Sequence, residues 1–193
     1  MAAPRLEALP FNEAIDAFRA KGYRETFDYA EMMGEEHAFS FTVAKAMQRD
    51  VLQDIRAAVD DAIANGQALE TFRKGIHHPA QDALMKFDPA TGEERTVRLG
   101  SSRRLKTIYE TNMRTAYASG HWEQVQRTKD VFPYLRYVSV MDGRERPEHR
   151  ALHDTVKPVD DPFWSDHYPP NGWGCRCSVQ QLTESDVERL GLK

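Results

Sequence analysis

The sequence predicts an α+β fold, mainly helical, with two long helices, a small β-sheet and an irregular C-terminal cap rich in Pro, Trp and Cys. Three observations predict it. Residues 36–65 and 101–128 contain no proline and carry apolar residues at helical spacing. Residues 134–141 alternate as a half-buried strand does and run into Asp142-Gly143, a turn dipeptide. Finally, residues 158–177 crowd prolines, tryptophans and both cysteines of the chain into a stretch without periodicity.

Taken in order, Pro10 precedes a short helix in which Phe11, Ile15 and Phe18 form one apolar stripe. Asn12 is the expected cap, with Gly22 as the stop. Such a stripe is too short to stand alone and must dock on something larger. After a connector containing Tyr23, Phe27 and Tyr29, the first long helix spans residues 36–65. Its face runs through Phe41, Ala44, Met47, Val51, Ile55, Ala58 and Ala62, widened by Leu52, Val59 and Ile63, which suits a core rather than a narrow seam. Asn65-Gly66 ends it, and residues 68–74 form a short helix packing back as a helical hairpin.

His77-His78-Pro79 reads as a loop, since adjacent histidines cannot share a helix face. Residues 86–100, with Asp88-Pro89 and Thr91-Gly92, read as a turn between extended pieces, a hairpin flap whose edge strand is 96–99. The second long helix starts at Ser101 or Ser102 and runs to Thr128. Leu105, Ile108, Tyr109, Asn112, Ala116 and Tyr117 trace its apolar face, Arg114 projects from the other side, and Gly120 marks a kink or a close approach. Asn112 is expected to satisfy a buried carbonyl, because an amide is neither acid nor base. Val156 and residues 177–180 are the expected partners of the 134–141 strand. Thr183 caps a last short helix. The chain divides into a helical region, 1–94, and a region with central helix, sheet and cap, 95–193, read as one continuous fold.

Composition sets limits on function. No apolar run approaches the roughly 20 residues that span a bilayer, and the first residues lack the apolar core of a secretory signal, so a cytoplasmic product with no membrane partner is expected. The net charge is −4, yet residues 95–150 carry 12 Lys and Arg against 6 Asp and Glu. That density is compatible with non-specific contact to DNA phosphates, or with a solvated helix face paired to acidic neighbours. There is no phosphate-cradling glycine loop, no carboxylate cluster of a metal nuclease and no nucleotide fingerprint.

The candidate site is in the last third. Pro147 opens a helical turn that would put His149 and His153 on one face, and Cys175 and Cys177 lie farther on. Two nitrogens and two sulfurs are a donor set tetrahedral zinc accepts, and a closed set implies a structural ion. The alternative is a polar cluster tied by hydrogen bonds. A Cys–His dyad oriented by Asp160 or Asp161, or a nuclease centre using His149, His153, Arg144 and Arg146, defines the rival class: a metal- or His-dependent hydrolase acting on nucleic acid. Phe163, Trp164, Tyr168 and Trp173 are expected to supply a small core where regular structure is absent, or a docking patch if exposed.

The run DGRxRPEHxALH followed by PVDDPFWxxHYPPNGWxCRC resembles the C-terminal motif of phage Mu F-like minor head proteins, which act in phage head morphogenesis. LPFNEAIDAFRAKG and RRLKTIYETNMRTAYASGHWEQVQRTK fit the same family, so the resemblance covers nearly the whole chain in three ordered blocks. Its motif positions here are Asn112, Arg114, Asp142, Arg144, Pro147, Asp161, Trp164, Pro169, Pro170, Trp173 and Arg176. The resemblance implies a minor head protein near the portal, partnered by portal, capsid or scaffold proteins and linked to DNA packaging or ejection. It would reside in the host cytoplasm during assembly and then in the virion. Many F-like proteins continue past the Cys-Arg-Cys motif, which implies a minimal version or a prophage remnant. In related head proteins of Gram-positive phages, ligand candidates stand where this chain has Arg146 and Gly172.

Overall fold

The structure, a computed structural model, describes residues 10–24, 40–41, 43, 49–76, 84–87, 94–97 and 100–191. Its spine is α4 (Ser102–Thr128), which at 1.5 Å per residue extends about 40 Å. Two apolar cores form along it. Leu105, Ile108 and Ala116 join a first core with α1 (Asn12–Arg19), α2 (Arg49–Ala64) and α3 (Leu69–Gly75). Val125, with Trp122 against it, belongs to a second core with the sheet and the cap. A helix serving two cores on different sides shows no single clean stripe, which is why its periodicity is weaker than that of α1 or α2.

The first core follows the predicted stripes closely. Ile15 and Phe18 of α1 are buried, as are Val51, Leu52, Ile55, Val59, Ala62 and Ile63 of α2. Phe72 of α3 is buried, with its ring centroid 5.3 Å from that of Tyr109, and the Tyr109 hydroxyl donates to the Gln67 carbonyl at 2.6 Å. The approach of α1 to α4 depends on Gly120. A Cβ there would lie 2.6 Å from the Ala14 nitrogen and 2.9 Å from the Glu13 carbonyl carbon, so only glycine lets the two backbones meet. Close packing, not a kink, is its role.

Several boundaries differ from the expected ones. Phe11, not Asn12, occupies the N-cap of α1, and the helix ends at Arg19. Gly22 is no helix stop. It begins β1 (Gly22–Tyr23), which pairs in parallel with β2 (Ser40–Phe41). The first long helix therefore does not extend back over Phe41, whose fully buried ring meets Phe18 edge-on instead. The apolar periodicity continued through 41 because a buried strand residue and a helix-face residue look alike in sequence. The connector's Phe27 and Tyr29, Ala44, Met47 and His77-His78-Pro79 lie outside the described residues. The flap is an antiparallel hairpin of β3 (Leu84–Phe87) and β4 (Glu94–Val97).

The second core is built on a three-stranded antiparallel sheet in the order β6-β5-β7, comprising β5 (Tyr134–Val138), β6 (Val156–Pro158) and β7 (Ser178–Leu182). Both predicted partners of the central strand are in place. Leu135 and Tyr137 point inward and are fully buried, as the alternation requires. The strand stops at Val138, short of 141, because the Ser139 amide donates to His153 Nδ1 at 3.1 Å rather than to a neighbouring strand. Two short helices, α5 (Pro147–Ala151) and α6 (Phe163–His167), lie in the cap, and α7 (Glu184–Leu190) follows β7 with Thr183 and Asp186 forming a capping box.

Candidate functional site

Four side chains fold the cap back on itself. Asp142, at the turn after β5, receives both guanidinium nitrogens of Arg176 at 2.7 and 2.8 Å, and Arg144 reaches the same carboxylate at 2.7 Å. Arg176 and then Arg144 hold the Asp142 carboxyl well below the usual carboxylate range. Arg146 donates to the Trp173 carbonyl at 2.6 Å and to the Asn171 carbonyl at 3.3 Å. The loop of residues 142–146 is thereby clamped to the loop of residues 171–177, although about thirty residues of chain separate them. These fork-shaped contacts need arginine, since a lysine cannot bridge two acceptors in a plane.

The clamp brings His149 onto both cysteines. Pro147 sits at the first position of α5 as expected, and the helix places the His149 ring inward, 7% exposed. Its Nδ1 lies 3.7 Å from Cys175 Sγ and 3.6 Å from Cys177 Sγ. Burial, followed by the positive Arg146, pushes the His149 pKa down and favours the neutral ring. Burial pushes the Cys175 thiol up, the reverse of what activates a nucleophile. Cys177 reaches Ser139 Oγ at 3.7 Å. Both cysteines are free thiols.

His153 does not join this group. The helix α5 ends at Ala151, so the four-residue spacing never becomes one helical face. Instead His153 Nδ1 accepts the Ser139 amide and Nε2 faces Asp154 at 3.5 Å. It terminates the central strand. Arg146 and Gly172, which the resemblance singled out, do meet here: a Cβ on Gly172 would stand 4.0 Å from the Arg146 guanidinium. A cation occupies that corner in place of a donor.

Other motif residues have structural partners. Asn112 is half-buried and donates to the Ile108 carbonyl of its own helix at 2.9 Å, so it serves a carbonyl one turn back rather than a neighbouring segment. Arg114 pairs with Glu110 on the same helix at 3.5 Å. Asp161 accepts the Phe163 amide at 2.8 Å, an Asx-type turn that satisfies the first N–H of α6, whose N-cap is Pro162. Trp164 is buried and donates its indole N–H to the Pro158 carbonyl at 2.9 Å. Trp173 is the exception among the cap aromatics: at 37% exposed it contributes mainly its carbonyl, to Arg146. Pro169 is buried, Pro170 is half-buried, and the peptide bond between them is cis. Together with Trp122 and Tyr168, these residues border a groove of about 1370 Å³ between α4 and the cap.

Sequence reasoning missed Tyr137 and Glu145. The Tyr137 hydroxyl accepts from Asn171 Nδ2 at 3.3 Å beside the thiols, and burial raises its pKa. Glu145, its side chain only 3% exposed, pairs with Arg150. No spacing marks either; both follow from the return of the second loop onto the first. Among the described residues of the basic stretch, several cations pair with acids: Lys106 and Arg114 with Glu110, Arg127 with Glu13, Lys129 with Asp160, Arg136 with Asp154, Arg144 with Asp142. Among the described residues, no helix is long and apolar enough to cross a membrane.

Comparison with known proteins finds curated relatives of this chain. The chain is 46% identical over 189 residues to the putative capsid assembly protein F of Escherichia phage Mu, covering 96% of this chain and 43% of that protein. It is 44% identical over 169 residues to the Mu-like prophage FluMu F protein of Haemophilus influenzae, covering 87% of this chain and 41% of that relative. The chain thus spans about two fifths of the length of these curated relatives. No solved structure matches it significantly. A family model described as phage Mu protein F like protein matches residues 53–180, from within α2 into β7, and with these identities it shows that the chain belongs to the family of phage Mu protein F like proteins.

Proposed function

We propose that the chain acts in phage head morphogenesis, as a minor head component that joins the assembling capsid near the portal and bears on DNA packaging or ejection. The observation that carries this reading is the 46% identity across 96% of the chain to a protein named for capsid assembly. That match spans nearly the whole chain, so α1, both cores and the cap fall within it. The partners in this reading are portal, capsid or scaffold proteins of the same phage, reached in the host cytoplasm and retained in the finished head.

Direct contact with DNA through residues 95–150 is the weaker part of the reading. Among the described residues, seven of its cations, Lys106, Arg114, Arg127, Lys129, Arg136, Arg144 and Arg150, pair with carboxylates of the chain, and a paired arginine releases fewer counterions from a phosphate than a bare one. The test is co-expression with the portal and scaffold proteins of the same phage. Co-elution with assembling heads, lost when Gly120→Leu displaces α1, supports the proposal. Heads of normal shape and DNA content assembled in a phage lacking the gene would refute it.

A further inference from the structure

We propose that His149, Cys175 and Cys177 bind one zinc-class divalent cation, which locks the C-terminal cap. This inference is independent of the head-assembly reading.

Among the described residues, these three form the group of His, Cys, Asp or Glu whose ligand atoms come together, all within 4.8 Å of one another. The edge lengths fit an ion. With Zn–S near 2.3 Å and Zn–N near 2.0–2.1 Å, a tetrahedral centre has N···S edges of about 3.6 Å. The distances from His149 Nδ1 to the two sulfurs are 3.7 and 3.6 Å. Hydrogen bonding alone accounts for this less well. A neutral Nδ1 offers either one lone pair or one N–H, so it can serve one thiol; Cys177 has Ser139 Oγ as a second partner at 3.7 Å, yet its sulfur still sits as close to Nδ1 as that of Cys175. A cation placed between the three atoms satisfies all of them.

Charge agrees. Two thiolates and a neutral imidazole around a dication leave no net charge, which suits a corner where His149 is 7% and Cys175 3% exposed. The sulfurs select zinc over magnesium or calcium. With His153 engaged at the end of β5, the fourth position falls to an oxygen, from water or from Ser139, whose hydroxyl lies 3.7 Å from Cys177 Sγ. Binding converts two thiols to thiolates and releases their two protons to solvent, with no change of oxidation state. The ion would tie α5 to the entry of β7 and fix the Pro-rich segment between them.

The test uses the purified chain kept reduced and free of chelator. Zinc content is measured, and cobalt(II) is titrated into the metal-free protein. One equivalent of zinc, and a cobalt complex with thiolate charge-transfer absorption and intense tetrahedral visible bands, are expected. The chain holds only two cysteines, so that charge-transfer band can arise only from Cys175 and Cys177. Cys175→Ser and Cys177→Ser should weaken binding by more than the roughly 10–100-fold that outer-shell changes cost. His153→Ala should retain the band. A wild-type chain that gives no thiolate–cobalt band overturns the proposal even if the serine variants fail to fold. So does zinc binding that folded Cys175→Ser leaves unchanged.

Discussion

Gly120→Ala offers a test of how the two halves of the molecule are joined. In the middle of an exposed helix this change stabilises by roughly 1 kcal/mol, because alanine is the better helix former. At Gly120 the structure demands the opposite sign. The new Cβ would sit 2.6 Å from the Ala14 nitrogen and 3.0 Å from its Cα, both backbone atoms that no rotamer change can move. Either α4 and α1 separate by about an ångström, at a cost of about 1–3 kcal/mol or more for overpacking, or α1 undocks. Undocking exposes Ile15 and Phe18, each worth about 1.5–3 kcal/mol when buried. Set against the propensity gain, the net loss is up to about 2 kcal/mol if the helices separate and about 2–5 kcal/mol if α1 undocks. For a chain of this size each kcal/mol moves Tm by about 2–4 °C, so thermal unfolding followed by circular dichroism should show a fall of several degrees or more. Gly75→Ala, at the end of α3 with no atom of the described residues within 4 Å of the new Cβ, is the control and should leave Tm level or raised. A Gly120→Ala chain as stable as the parent would mean that α1 does not pack there.

Other perturbations reach different parts of the fold. Thr183→Ala removes the side chain that caps α7 and accepts the Asp186 amide; it should cost about 1 kcal/mol and speed amide exchange in α7 alone. Arg176→Ala should open the cap without unfolding the first core, seen as severalfold faster reaction of Cys175 with a thiol reagent, and Arg176→Lys should rescue it poorly because the bidentate contact is lost. Lys21 is 3% exposed, and burial lowers its pKa from 10.5 to about 8. Between those values the unfolded chain holds a proton that the fold has released, so stability should rise with pH across this window by up to about 3 kcal/mol. Compared with Lys21→Met, the wild type should gain stability from pH 8 to 10.5 and show no such relative gain below 8.

The helices of the first core were legible because their stripes are repeated and deep: Val51, Leu52, Ile55, Val59 and Ile63 fall where a 3.6-residue period puts them. The central strand and both its partners were legible for the same reason at period two. What sequence could not supply was the choice between two structures that present the same apolar residue, as at Phe41, or the end of a helix only five residues long, as at α5. His153 was misplaced on that account: the four-residue spacing is real, but the helix stops before completing it. In sequence Gly120 signals either a kink or a close approach, and only the position of Ala14 decides which. In the cap, the residue types pointed to His149, Cys175 and Cys177, while the forces that assemble them were invisible. The forks of Arg176 onto Asp142 and of Arg146 onto two carbonyls act between loops far apart in sequence, and no local pattern encodes such a pairing.

Closure of the cap joins the candidate site to the rest of the fold, and it can be seen directly by NMR on isotopically labelled chain kept reduced. With His149 Nδ1 at 3.6 and 3.7 Å from the two sulfurs, ring protons of His149 should give cross-relaxation peaks to the β protons of both Cys175 and Cys177. A folded chain in which His149 shows peaks only to its own helix, with the cysteine β protons at the averaged shifts of a solvent-exposed cysteine, would contradict that closure.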